Sequence, residues 1–134
     1  MGPSEDLKRV AKALVENCRN DRDEQNLNDL YADHAESVEA FAMPGDDRVK
    51  KGLDAIRAKH EWWRSNMEVL PSDLTPEQMA EGPFYNGDDK FSVIFRLKAK
   101  DRNSGQVMDM LETATYTVED GKVVREEFFY AMPE

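Results

Sequence analysis

The sequence predicts an α+β domain in which three helices pack on a strongly curved, mainly antiparallel sheet. Two features of the apolar pattern lead to this prediction. Up to about residue 67 the apolar residues mostly recur three and four positions apart, whereas beyond about residue 82 they alternate every second position. Helices grouped in one part of a chain and strands in another are typical of the α+β class.

Each predicted helix has one apolar stripe. The helices are predicted at residues 4–18, 22–32 and 53–67. Ser4 is a suitable N-cap for the first, since acidic residues follow in its first turn. The stripes consist of Leu7, Val10, Ala11, Leu14 and Cys18, then Leu27, Leu30 and Tyr31, then Leu53, Ile56, His60, Trp63 and Met67. Residues 75–78, TPEQ, have capping-box chemistry and predict a further single helical turn.

The strands are predicted from alternation and from turn signals. A first strand at 37–43 ends at Pro44-Gly45. Later strands are predicted at 82–86, 90–100, 106–118 and 122–131, with turns at Asn86-Gly87, Asn103-Ser104-Gly105 and Asp120-Gly121. The last three strands exceed the usual length of about five or six residues. Because long strands covered on one side coil into a half-barrel, we expect a cone that side chains fill or leave open as a cavity.

Length and composition limit the possible functions. A chain of 134 residues predicts a single domain, residues 1–134, with a core that needs no disulfide or metal. The formal charge of −10 argues against nucleic acid or a membrane surface as partner, because both require clustered Lys and Arg. No apolar run approaches the roughly 18 residues that span a bilayer, and MGPSEDLKR lacks the apolar segment of a secretion signal. The single cysteine, Cys18, suits a reducing compartment, so we expect the protein in the cytoplasm.

Two glutamates interrupt the apolar rows of the last two strands. Counting by twos, Glu112 and Glu126 each fall in an otherwise apolar row. Desolvation and mutual repulsion both favour the protonated carboxyl, so at least one of the two pKa values should rise toward neutrality. His60 lies in the stripe of the third helix, and beside either glutamate it would form an acid–base pair able to move a proton on a carbonyl substrate. The catalytic candidates are therefore His60, Glu112 and Glu126.

The relative position of these glutamates depends on the turn between their strands. If Gly121 is the bulge residue of a type I turn, Val118 pairs with Lys122. Glu126 then lies opposite Ala114, which makes the two glutamates diagonal neighbours with backbones roughly 7–8 Å apart. A two-residue Asp-Gly turn would instead shift the pairing by one and separate their faces. We favour the first register because it groups the apolar residues of both strands.

Each candidate also has a structural interpretation. A histidine in a helical stripe is more often a core or rim residue than a catalytic one. The glutamates can lie at the wet mouth of a cone or pair with Arg96 or Arg125. Two histidines and one cysteine show no metal-ligand spacing, so no metal site is predicted.

The order of elements and three segments resemble the NTF2-like superfamily, particularly its SnoaL-like and ketosteroid-isomerase-like branches. The segments are LYADHAESVEAFAMPG at 30–45, GLDAIRAKHEWW at 52–63 and YTVEDGKVVREEFFY at 116–130. The resemblance implies a cone-shaped pocket between sheet and helices, and a homodimer formed through the other face of the sheet. Within this superfamily the same fold serves isomerases, cyclases, lyases and modules without catalysis.

The acids of ketosteroid isomerase are absent from the matching positions. There an Asp on the first strand is the base, and a protonated Asp with a Tyr forms the oxyanion hole. The resemblance places Ala40 at the base, Ala114 at the oxyanion Asp and Val10 near the Tyr. It also provides no Asp-Arg-Asp relay of the limonene epoxide hydrolase kind. A steroid isomerase with that machinery is therefore not expected.

From residues and resemblance together we expect a SnoaL-like homodimer that binds a small apolar or aromatic molecule in the cone. If the protein is an enzyme, we expect isomerase, cyclase or lyase chemistry with no cofactor. The expected ligand-binding residues are Tyr31, Trp63, Phe95, Tyr116, Phe128 and Tyr130. The alternative is a non-catalytic module for ligand binding, dimerisation or a protein partner, with a cone that its own aromatic rings fill.

Overall fold

A computed structural model of the chain describes residues 2–42 and 44–131, in which four helices and one sheet of seven strands form. The helices are α1 (Glu5–Arg19), α2 (Asp23–Asp29), α3 (Leu53–Asn66) and α4 (Pro76–Met79). The strands are β1 (Tyr31–Val38), β2 (Val49–Lys51), β3 (Met67–Val69), β4 (Ala80–Tyr85), β5 (Lys90–Asp101), β6 (Val107–Glu119) and β7 (Lys122–Phe129). Position 43 of the predicted first strand, and positions 1 and 132–134 of the predicted domain, lie outside the described residues.

The sheet curls into a half-barrel that α1, α2 and α3 cover. Its strand order is β2-β1-β7-β6-β5-β3, and β4 pairs with another part of β5. Strand β1 runs parallel to β7, and the remaining pairs are antiparallel. The predicted α+β class, with N-terminal helices on a strongly curved, mainly antiparallel sheet, is confirmed. None of the described helices is long and apolar enough to cross a membrane.

The capping residues predicted from the sequence begin α1 and α4, as expected. The Ser4 hydroxyl accepts a hydrogen bond from the Leu7 amide at 3.1 Å, and the stripe of α1 is buried. Thr75 and Gln78 form the reciprocal capping box that begins α4. The stripes pack on the inner sheet residues Phe91, Val93, Ala114, Tyr116, Val118 and Val123, which form the core.

The second helix is shorter than predicted, and the first strand begins earlier. Helix α2 ends at Asp29, and Tyr31 begins β1 instead of continuing the helix. The Val123 amide donates to the Leu30 carbonyl at 2.8 Å, and Tyr31 pairs with Val123 in the parallel β1–β7 ladder. The predicted helix to residue 32 and strand at 37–43 are therefore wrong in their bounds, because pairing with a distant strand overrides the local helical spacing.

The hairpin between β6 and β7 has the two-residue turn, so the predicted register is wrong. Asp120 and Gly121 both have positive φ, 51° and 74°, as a type I′ turn requires. Glu119 therefore pairs with Lys122, and Val118 with Val123 instead of Lys122.

A β-bulge then changes the pairing again. Thr117 pairs with Arg125 directly after Val118 pairs with Val123, which leaves Val124 as the extra residue. The bulge returns Glu126 to the concave face, opposite Tyr116 instead of the predicted Ala114.

The two glutamates consequently share the concave face without being diagonal neighbours. Tyr116 is opposite Glu126, and Glu112 lies four positions further along β6, about 13 Å at 3.3 Å per residue. The predicted spacing of 7–8 Å is therefore wrong, although the predicted common face is confirmed.

Candidate functional site

The concave face of the sheet changes from closed to half-open along β5 and β6. At the closed end Phe91, Val93, Ala114 and Tyr116 are buried, and the Phe91 and Tyr116 rings stack with centroids 4.9 Å apart. Further along, the face becomes half-buried. The half-buried residues are Phe95, Leu97, Met110, Glu112 and Phe128, here called the mouth. Solvent therefore reaches part of the concave face at the mouth.

Glu126 lies in a closed polar network between the core and the mouth. Its side chain is 1% exposed. The Tyr31 hydroxyl donates to Oε1, and the Ser37 hydroxyl donates to Oε2 at 2.6 Å. Ser37 is in position to do so because it pairs with Glu126 across the β1–β7 ladder. Both carboxylate oxygens thus have a donor that the fold supplies.

Helix α3 brings two basic side chains to the same carboxylate. Lys59 Nζ lies 3.7 Å from Glu126 Oε2, and His60 Nε2 lies 3.9 Å from the same oxygen. Lys59 also donates to the Ser37 hydroxyl at 2.6 Å and forms an ion pair with Glu39. Its ammonium sits 4.3 Å from the centroid of the Phe128 ring. Lys59 therefore ties α3 to the sheet, a role that its sequence position did not indicate.

The network keeps Glu126 ionised despite its burial. Burial raises the pKa of this carboxyl, but His60, Lys59 and the Ser37 hydrogen bond lower it more, so the pKa lies below its usual range. Burial and the adjacent Glu126 charge hold the pKa of the Tyr31 hydroxyl well above its usual value. Tyr31 therefore remains a donor at every physiological pH.

Glu112 has a different environment, in the mouth. It pairs across the sheet with Phe95, and Met110 and Ala114 flank it on the same face. Among residues 2–42 and 44–131, no hydrogen bond or ion pair reaches its carboxyl group. Burial, and then the negative charge of Glu39, raise its pKa to about 7. Glu112 thus exchanges its proton near neutral pH, as a general acid or base must.

The six predicted ligand-binding residues fall into two groups. Tyr31 and Tyr116 are buried in the core at 6% and 4% exposure. Trp63, Phe95, Phe128 and Tyr130 are half-buried. The Tyr130 hydroxyl donates to Glu39 Oε2 at 3.0 Å, and Phe128 lies beneath Lys59. Phe95 and Phe128 belong to the mouth, next to Glu112.

One group of described residues, Asp23, Glu24 and His60, has donor atoms within 4.8 Å of one another. His60 Nδ1 lies 3.7 Å from Glu24 Oε1, but the Arg64 guanidinium pairs with this same oxygen. A metal ion would have to displace Arg64, and Asp23 is exposed. The arrangement is that of a surface ion-pair cluster.

Two surface cavities lie away from the predicted catalytic and ligand-binding residues. One, of about 510 Å³, lies between α1 and residues 76–83, with Lys12, Glu16 and Arg19 in its wall. The other, of about 370 Å³, lies beside residues 69–72. None of the predicted site residues lines either cavity, so neither is the predicted cone pocket.

Comparison with known proteins identifies the family. The family model of the SnoaL-like domain matches residues 6–130. The chain belongs to the SnoaL-like family. A protein from Mesorhizobium loti described as a SnoaL-like polyketide cyclase is 31% identical, with a TM-score of 0.81 over 92% of this chain and 98% of that one. No curated protein shows significant similarity to the sequence.

More distant structures share the fold of this SnoaL-like chain. A protein from Burkholderia pseudomallei described as NTF2-like has 13% identity and a TM-score of 0.70, over 96% of this chain and 92% of that one. A protein from Bacillus subtilis described as an isomerase has 15% identity and a TM-score of 0.62, over 95% and 84%. The predicted NTF2-like architecture and its SnoaL-like branch are confirmed.

Proposed function

We propose that this SnoaL-like protein binds a small, largely apolar molecule at the mouth and exchanges a proton with it through Glu112, without a cofactor. One observation carries the proposal: a half-buried carboxyl with a pKa of about 7, which no described residue pairs with, lies on an apolar wall. A carboxyl that titrates near the working pH is an efficient general acid or base, worth about 10²–10⁴-fold in rate.

The surrounding residues have distinct roles in this proposal. Phe95 and Phe128 contact the apolar body of the ligand, and the half-buried Trp63 of α3 is a further candidate contact. Glu126 holds Lys59 and His60 in place, and the charge of Lys59 limits how far the pKa of Glu112 rises. Among the three predicted catalytic residues, Glu112 exchanges the proton, and His60 and Glu126 support it.

The supported reaction class is proton transfer, as in isomerases, cyclases and lyases. The Mesorhizobium loti protein is described as a polyketide cyclase and the Bacillus subtilis protein as an isomerase. The description of the first as a cyclase agrees with a site that moves protons, whereas the second, at 15% identity, shares the fold alone. The free cysteine Cys18 suits a reducing compartment, so we place this activity in the cytoplasm.

A metabolite screen followed by hydrogen exchange tests the proposal. Small cyclic and aromatic metabolites are first screened for a thermal shift with the wild-type protein. Each hit is then incubated with protein in D2O, and the exchange of its acidic C–H groups is followed by proton NMR. We expect wild-type protein to catalyse exchange and Glu112→Gln to lose about 10²-fold or more of the rate.

The matched control for this screen is Asp109→Asn. Asp109 is on β6 with Glu112 but faces outward, with a side chain 87% exposed, so the variant removes the same charge from the other face. Equal exchange by wild-type and Glu112→Gln protein would contradict the proposed role of Glu112. Hits that bind but exchange no faster with wild-type protein than without it would favour a non-catalytic binding module.

A homodimer formed through the convex face of the sheet is the second part of the proposal. Leu111 and Phe129 face outward on adjacent strands, 62% and 49% exposed, and Val107 on β6 is 51% exposed. Exposed apolar side chains grouped on one face favour association. We expect a dimer in sedimentation equilibrium that Leu111→Lys converts to a monomer. A wild-type monomer would contradict this part alone.

A further inference from the structure

The charged groups around Glu112 leave negative charge in excess. Glu39 faces it from the segment after β1, Lys59 and His60 from α3, and Glu126 from β7. With Glu112 ionised, three carboxylates oppose one lysine and one histidine, so the local formal charge is −2 or −1, depending on His60.

The nearby lysine cannot neutralise Glu112, because its donors are already engaged. Lys59 donates to Ser37, pairs with Glu39 and lies 3.7 Å from Glu126. His60 lies between Glu126 at 3.9 Å and Glu24 at 3.7 Å. Within the described residues, Glu126 and Glu39 thus have direct ion-pair partners, whereas Lys59 and His60 act on Glu112 only at longer range.

We propose that the ligand of the mouth is an organic cation, a small apolar body with a protonated amine that pairs with Glu112. This inference rests on the proposed function, and it names the charge of the ligand that binds beside Glu112. An ammonium beside Glu112 compensates a carboxylate that has no direct partner among the described residues, and Phe95 lies directly across the sheet from it. An anionic ligand would add to the existing negative charge, and a neutral one would leave it unchanged.

The acidic chain favours such a ligand at long range as well. The formal charge of −10 concentrates cations near the surface and raises their association rates at low salt. Binding is also coupled to protons, since only ionised Glu112 attracts an ammonium. Because the pKa of Glu112 is about 7, affinity for an amine should rise from pH 6 to pH 8 and then level off.

Three probes of one size and different charge test this inference: benzylamine, benzyl alcohol and benzoate. Binding is measured by titration of backbone amide NMR signals at pH 8 and at pH 6. We expect benzylamine to bind at least about tenfold more tightly than benzyl alcohol at pH 8, and about tenfold more weakly at pH 6 than at pH 8. Benzoate should bind more weakly than either. Glu112→Gln should bring the benzylamine preference to within about threefold, while Asp109→Asn keeps it.

The outcomes separate this inference from the function on which it rests. Benzyl alcohol or benzoate binding at the mouth as tightly as benzylamine would overturn the cation inference but leave ligand binding at the mouth intact. A benzylamine preference that survives in Glu112→Gln would overturn it too. If none of the probes shifts the signals of Phe95, Glu112 and Phe128 at millimolar concentration, both the inference and the proposed site are wrong.

Discussion

Glu112 and Glu126 lie on the same concave face, and the structure treats them in opposite ways. Glu126 is buried and has a donor for each carboxylate oxygen, with two basic side chains nearby. Glu112 is half-buried among apolar residues with no partner in the described part of the chain. The pKa of Glu126 is lowered, whereas that of Glu112 is raised to about 7.

The comparison shows that burial alone does not predict the behaviour of a carboxyl group. Burial raises the pKa of both residues, and the nearby donors and cations decide the net direction. A satisfied carboxylate fixes structure, because a network with all partners present rigidifies its surroundings. A carboxyl group without such partners can still form a hydrogen bond or an ion pair with a ligand. We therefore propose a structural role for Glu126 and a catalytic role for Glu112.

The largest expected effect is the loss of stability in Glu126→Ala. Removing this carboxylate takes the acceptor from the Tyr31 and Ser37 hydroxyls and the most buried counter-charge from Lys59, and breaking a buried ion pair costs about 3–5 kcal/mol of unfolding free energy. Urea denaturation at pH 7 measures this loss. Because the folded pKa is below the ordinary 4.5, the stabilisation by Glu126 is present above pH 4.5 and is lost as pH falls through the folded pKa.

Glu127→Ala is the matched control for that variant. Glu127 is the next residue of β7, and its side chain is 29% exposed and pairs with Arg125 at 3.4 Å. Losing this exposed ion pair should lower the free energy of unfolding by less than about 1 kcal/mol. If both variants lose the same amount of unfolding free energy, the structural role of Glu126 is wrong.

A smaller effect is expected from removing one hydroxyl that the network uses. In Tyr31→Phe, Glu126 loses one of its two hydroxyl donors, and a hydrogen bond to a charged group is worth about 1.5–3 kcal/mol. Tyr130→Phe removes a donor to the half-buried Glu39 and should cost about 1 kcal/mol or less. Equal losses in urea denaturation would indicate that solvent reaches both networks alike.

An effect of opposite sign is expected from Glu112→Gln. The raised pKa means that ionisation of this residue costs no stability below pH 4.5, and that the cost grows from pH 4.5 to about pH 7 and is fully present above it. The variant should therefore be more stable than wild type at pH 8 by about 1–2 kcal/mol, a value reduced for partial exposure. Thermal melts at pH 5 and pH 8 measure it, with Asp109→Asn as reference. If the stability difference between Glu112→Gln and wild type is the same at pH 5 and pH 8, the raised pKa of Glu112 is refuted.

Most of the fold was predictable from periodicity, because long amphipathic segments carry a strong signal. The three predicted helices and the last four strands are present, and the capping box at Thr75 begins α4. The three-residue strands β2 and β3 were not predicted, since three residues cannot show a period. Tyr31 was assigned to a helix because only its pairing with Val123 makes it a strand residue.

The site was less predictable, because its geometry depends on distant pairing. The shared face of Glu112 and Glu126 was predicted from alternation, but through the wrong register. A bulge at Val124 compensates for the two-residue turn, and nothing in the local sequence marks that residue as a bulge. Lys59 was not predicted either, since a lysine in a charged helix usually faces solvent. The available signal was its neighbour His60, whose place in the apolar stripe indicates that this part of α3 faces the sheet.

The most direct test of the central claim is a titration of both carboxyl groups by ¹³C NMR. Protein with labelled glutamate side chains is observed from pH 3 to pH 9, and Glu112→Gln and Glu126→Gln assign the two signals. We expect Glu112 to titrate with a pKa of about 7 and Glu126 below 4.5. Two signals that both titrate near 4.5 would contradict the account, because the two residues would then have the same environment.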